Sequence, residues 1–185
     1  GLMASAFLSG CADAEYTTPL EEAQADVLTS YQEMMSFLVE LKEGTNAFTM
    51  DTVGTSVEGR SIVLLHFTGG EGNPAPRDDA LKVFIFAQQH GNEPSGKEAA
   101  IALTRDIATG AFTEFMPQVD FYLLPQVNPD GSEARERRNA AGMDLNRDHL
   151  TLTTPEVQAV QQVFRGILPH VVLDVHEYGI TSSAW

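Results

Sequence analysis

The sequence predicts an α/β fold: a mixed, mostly parallel sheet flanked by helices. Two observations carry this reading. Residues 80–87, 119–124 and 170–175 are near-continuous apolar runs of strand length, the pattern of strands covered on both faces. Stretches with helical apolar spacing lie between them, so strands and helices alternate.

Residues 19–43 read as one helix, with Leu20, Ala23, Val27, Leu28, Tyr31, Met34, Met35, Leu38 and Leu41 on one stripe and Gly44 as the stop. Residues 51–57 and 60–67 read as two strands about a Glu58-Gly59 turn. Residues 69–79 are rich in Gly and Pro with Asn and Asp, and read as a loop. The strand over 80–87 is followed by a helix over 94–109, opened by Pro94, a residue favoured in a first turn. After the strand at 119–124, residues 125–150 form a polar segment whose length without regular structure points to function. A helix over 155–164 and a strand over 170–175 close the series.

A chain of 185 residues fits one domain. With 26 acidic and 11 basic residues it carries a net charge of −15, which argues against nucleic acid as a partner. No apolar run reaches transmembrane length. The one cysteine, Cys11, excludes an internal disulfide. Leu8-Ser9-Gly10-Cys11 resembles a bacterial lipobox, preceded by apolar residues and followed by polar Thr17 and Thr18. That resemblance implies cleavage before Cys11, lipid on its thiol, and attachment to the bacterial cell envelope. Residues 1–18 are then a clipped leader and tether.

His90, Glu93 and His176 are candidate ligands of one zinc ion. His90 and Glu93 follow the strand at 80–87, and His176 ends the strand at 170–175. In open α/β sheets such strand ends are where ligands bind. Gly91 lets the backbone bend between the first two. Two histidines and a carboxylate leave a fourth zinc position open for water, which hydrolysis needs.

Three further segments join this pair of motifs: Asn128-Pro129-Asp130-Gly131, then Arg137 through Asp148, then Asp174-Val175-His176-Glu177-Tyr178-Gly179. In order and spacing they resemble the M14 (carboxypeptidase A-like) zinc carboxypeptidases, and Gly54 through Arg60 resembles that family's first hairpin. The resemblance spans about residues 45–180. It implies a zinc-peptidase fold of which residues 19–185 are the N-terminal part, incomplete at the C-terminus. It also implies one zinc ion on His90, Glu93 and His176, and a substrate peptide with a free C-terminal carboxylate. Arg137 matches the residue that polarises the scissile carbonyl, and Asn146 and Arg147 match the pair that grips the carboxylate. Asp144 matches the carboxylate behind the first zinc histidine.

Arg138 is the alternative to Arg137; the Arg-x-Asn register set by Asn139 favours Arg137. Asp174 shares a strand face with His176 and is either a partner of that histidine or a buried structural acid. Glu177 points to the opposite face and is rejected as a base. His66 and His170 read as structural, and His149 as a minor candidate for lining the site. Tyr178 reads equally as a pocket wall or as core. The family's catalytic glutamate and substrate-contacting tyrosine are expected beyond residue 185. The chain by itself is therefore expected to show an exposed apolar sheet edge, poor solubility and little turnover. Two other functions fit the same residues: a zinc amidase on cell-wall peptides or N-acyl amino acids, and a non-catalytic peptide-binding lipoprotein.

Overall fold

The computed structural model describes residues 16–68 and 79–178. Cys11 and its leader, and nearly all of the loop expected over 69–79, lie outside these residues. Among the described residues no helix is long and apolar enough to cross a membrane.

Among the described residues five strands form one sheet in the order β1-β2-β4-β3-β5. They are β1 Thr49–Thr55, β2 Ser61–Thr68, β3 Leu81–Ala87, β4 Val119–Leu124 and β5 Val171–Val175. The hairpin β1–β2 and the β2–β4 pair are antiparallel, while β4, β3 and β5 run parallel. The mixed sheet is thus present, with its parallel half on the side that carries the candidate ligands.

Helices α2 Tyr31–Thr45 and α3 Ser95–Ala108 cover one face, and α5 Pro155–Ile167 covers the other. The strand period of two sorts the side chains. In β4, Phe121 and Leu123 enter the core under α2 and α3, while Tyr122 and Leu124 enter the core under α5. His66 is buried and stacks on Tyr122 with ring centroids 4.1 Å apart, and burial lowers its pKa. His170 pins the start of β5, where its Nδ1 accepts from the Lys82 N–H at 3.0 Å.

The single helix expected over 19–43 is two. α1 Pro19–Glu22 and α2 each open on a reciprocal cap, Thr18 with Glu21 and Ser30 with Glu33. Between them Gln24 and Ala25 take positive φ of 52° and 62° and break the helix. Val27 and Leu28, drawn on the same stripe, therefore fall outside a helix and are exposed, while Met34, Leu38 and Leu41 on α2 are buried in the core. Gly44 does not stop α2, which ends at Asn46 in the left-handed region. The polar segment over 125–150 is also partly regular. Asn128 caps a short helix, α4 Pro129–Ala134, and Asp144 caps a 3-10 turn at Leu145–Arg147.

β5 is not covered on both faces: Val171, Val172 and Leu173 are 39%, 43% and 44% exposed, so among the described residues β5 is the exposed apolar sheet edge that was expected.

Buried carboxylates fix the connections. Asp130, on α4, accepts from Ser56 Oγ at 2.7 Å, the Glu58 N–H at 2.9 Å and Arg60 Nη1 at 2.6 Å, which ties the β1–β2 turn to the polar segment. Glu156 is fully buried on α5 and accepts from Asn139 Nδ2 at 3.0 Å. Asp148 accepts five hydrogen bonds from Thr151, Thr153 and Thr154. Burial by itself would raise the pKa of Asp148; these donors outweigh it and hold the carboxyl well below the usual range.

A folded-state pKa below the unfolded value means that Asp148 stabilises the fold above about pH 4 and loses that contribution as pH falls further. Asp148→Asn should therefore cost about 2 kcal/mol or more at pH 7. In urea unfolding the gap between wild type and variant should narrow toward about pH 3. A gap that stays constant over that range would refute the role given to this carboxylate.

Candidate metal centre

The two neighbouring parallel strands β3 and β5 end side by side, with Ala87 paired to Val175. The chain leaves β3 through Gln88, at φ 55°, and leaves β5 directly into His176. His90 and His176 therefore emerge at the same carboxyl edge, with ring centroids 4.8 Å apart.

The loop bearing His90 and Glu93 is shaped by the polar segment beneath it. The Val127 and Asn128 N–H groups continue the strand pairing onto the Ala87 and Gln88 carbonyls, at 2.9 and 3.1 Å. Asn128 Nδ2 donates to the Gln89 carbonyl at 3.0 Å, and the Gly91 N–H donates to the Arg137 carbonyl at 3.3 Å. At Gly91 a Cβ would fall 2.0 Å from the Gly131 carbonyl carbon. The loop can lie this close to α4 only because residue 91 has no side chain.

Glu93 is the centre of the cluster. Its Oε1 is 2.9 Å from His90 Nδ1, and its Oε2 is 2.9 Å from His176 Nδ1. Oε2 also accepts the Glu177 N–H at 3.0 Å. Among the described residues these three side chains form a group whose potential ligand atoms all lie within 4.8 Å of one another. The far nitrogens meet carboxylates. His90 Nε2 is 3.0 Å from Asp144 Oδ1, and His176 Nε2 is 3.0 Å from Asp174 Oδ2. Asp174 thus stands behind His176, and with a side chain 32% exposed it is not a buried structural acid. The Glu177 carboxylate accepts from the Ser95 N–H at the start of α3.

Charge follows the geometry. Burial would raise the pKa of Glu93, but the Glu177 N–H, His176 and His90 outweigh it and lower it. Burial likewise opposes, and His90 and Arg137 overcome, a lowering at Asp144. Burial would lower His176, yet Glu93 and Asp174 raise it. Two imidazole Nδ1 atoms facing an ionised carboxylate, each ring backed by a second carboxylate, make a donor set that fits zinc.

The cluster opens into a cleft of about 410 Å³, lined also by Arg137, Asn146 and Arg147. Arg137 Nη1 reaches Glu93 Oε1 and its Nε reaches Asp144 Oδ2, both at 3.2 Å. Arg138 instead donates to the Gly142 carbonyl at 2.7 Å. Asn146 Nδ2 lies 3.2 Å from His176 Nε2, and Arg147 Nη1 donates to the Asn146 carbonyl at 2.9 Å. Tyr178 is 88% exposed at the rim and is not part of the core. Sequence reasoning missed Gln89, which is fully buried and bonds both Asp174 and His149. Its place beside His90 was the one available signal.

The profile of the zinc carboxypeptidase family (M14 peptidases) matches residues 34–180. Carboxypeptidase 2 of Trichophyton tonsurans is 30% identical over 126 residues, 66% of this chain and 23% of that protein. A metallo-carboxypeptidase from Burkholderia cenocepacia superposes with a TM-score of 0.70 at 28% identity, over 82% of this chain and 42% of the other. A metallo-carboxypeptidase from Pseudomonas aeruginosa, solved with (2-guanidinoethylmercapto)succinic acid, gives 0.68 at 32% identity, over 82% and 40%. The chain thus spans 23% of the Trichophyton protein and less than half of each of these structures.

Gly91→Ala should force the ligand loop away from α4. The clash is with backbone, so the destabilisation should exceed the ~1–3 kcal/mol of ordinary overpacking. Thermal unfolding with and without zinc should show both a lower midpoint and a smaller zinc-induced rise. A variant that matches wild type in both would show that the approach to Gly131 is not required.

Proposed function

Because the chain belongs to the zinc carboxypeptidase family, we propose that its site holds one zinc ion on His90, Glu93 and His176 and serves hydrolysis of the C-terminal peptide bond of peptides. The observation that carries this reading is the convergence of both Nδ1 atoms and the Glu93 carboxylate at the mouth of a cleft. Zinc held there supplies a Lewis acid and a water of lowered pKa.

The protein's own groups have separable tasks. Asp144 and Asp174 accept from the Nε2 atoms of His90 and His176 and so hold each ring with its Nδ1 lone pair forward. Arg137 brings a fixed positive charge beside Glu93, where negative charge develops on the scissile carbonyl oxygen. Asn146 and Arg147 line the same wall, and a guanidinium there suits the two oxygens of a terminal carboxylate. The partner is then a peptide with a free C-terminal carboxylate. Attachment to the bacterial cell envelope through lipid on Cys11 belongs to the same proposal and rests on the lipobox-like residues.

Zinc stoichiometry on the purified chain should be one per molecule and should fall to zero in His176→Ala. Retention of stoichiometric zinc by that variant would overturn the ligand assignment. Short peptides with a free C-terminus should bind the zinc-loaded chain, and the same peptides with a C-terminal amide should not. Arg147→Ala should weaken binding of the free-carboxylate peptides by about 10–100-fold, the loss of one charged hydrogen-bonding group. Equal binding of acid and amide would refute carboxylate recognition.

A further inference from the structure

Four side chains outside the ligand set form an unbroken line to His176. Gln161 Nε2, on α5, lies 3.3 Å from His149 Nδ1. His149 Nε2 lies 2.7 Å from Gln89 Oε1, and Gln89 Nε2 lies 2.7 Å from Asp174 Oδ2. Asp174 Oδ2 is in turn 3.0 Å from His176 Nε2. We infer that His149 is a positioning residue for His176, acting through Gln89 and Asp174. This rests on the zinc reading above.

The direction of each bond follows from what each group can donate. The Asp174 carboxylate only accepts, so both the Gln89 amide N–H and the His176 Nε2–H donate to it. With its nitrogen so committed, Gln89 offers its oxygen to His149, whose Nε2 must then carry the hydrogen. His149 Nδ1 is left as an acceptor for the Gln161 amide. Every donor meets an acceptor in one direction, and the line ends by leaving the His176 Nδ1 lone pair facing Glu93. Asn146 joins the same Nε2–H as a second acceptor when its amide oxygen faces the ring.

Burial makes the direction compulsory. Gln89 is fully buried, so water cannot replace either partner, and a reversed amide would set its oxygen against the Asp174 carboxylate. His149 is itself held firmly. It adjoins Asp148 with its five hydrogen bonds, and its ring lies against Phe86 at 6.3 Å between centroids.

The test compares zinc affinity, by competition with a chromophoric chelator, for wild type, His149→Phe and His149→Gln. Phenylalanine keeps a ring and removes the donor to Gln89; glutamine restores an amide donor. His149→Phe should weaken zinc binding by about three- to tenfold, less than the 10–100-fold typical of a direct partner of a ligand. His149→Gln should recover most of that loss. Long-range proton–nitrogen NMR of the wild-type chain above about pH 8, where imidazoles are neutral, should show His149 with its hydrogen on Nε2. Wild-type affinity in His149→Phe overturns the inference, and so does an Nδ1–H tautomer at His149. The tautomer decides the matter if His149→Phe does not fold. A wild-type chain that takes up no zinc overturns the metal reading itself, and with it this inference. Zinc uptake that is equal in wild type and His149→Phe overturns the inference alone.

Discussion

Glu93 joins three parts of the chain that are far apart in sequence. Its oxygens lie 2.9 Å from the Nδ1 atoms of His90, in its own loop, and of His176, at the end of β5, and it accepts from the Glu177 N–H and from Arg137 in the polar segment. A half-buried carboxylate must find donors or lose its charge. Here the donors are the groups that define the site, so one ionised acid holds the carboxyl ends of two strands and the wall of the cleft together. The separation of His90 from His176 depends on this junction as much as on strand pairing.

The segment from Gln126 to Thr154 serves as the bed on which that junction lies. Asn128 extends the β3 backbone pairing beyond the end of the strand, and Gly131 admits Gly91 at close range. Asp144 then reaches up to His90, and Asp130 and Glu156 tie the same segment to the β1–β2 turn and to α5. Its polarity follows from its task. Buried loop backbone and ligand side chains require hydrogen-bond partners that apolar residues cannot supply.

Strand positions were legible from local pattern, and the meeting of His90, Glu93 and His176 from that pattern together with the family resemblance. Apolar runs of strand length marked β3, β4 and β5, and the two strand ends carried the histidines. The break between α1 and α2 was written in the sequence as two Ser/Thr-x-x-Glu caps, Thr18 to Glu21 and Ser30 to Glu33. The apolar spacing through Val27 and Leu28 outweighed those caps in a reading based on periodicity. An exposed apolar edge was expected, but not which strand would form it: a strand carries the same apolar run at the edge of a sheet as at its centre. The link between Gln89 and His149 left no pattern to read, because side chains 60 positions apart meet only through the topology.

The two halves of the candidate metal site sit in regions of unequal firmness. His90 and Glu93 are held between β3, α3 and the polar segment, whereas His176 follows a strand that, among the described residues, has one neighbour and half-exposed side chains. Local opening costs least where few apolar contacts are lost. Were β5 to open, His176 would be withdrawn while His90 and Glu93 stay in place, and any further strand or partner paired to the free edge of β5 would suppress that opening. The retention of an ion on these three residues would then follow how well β5 is covered.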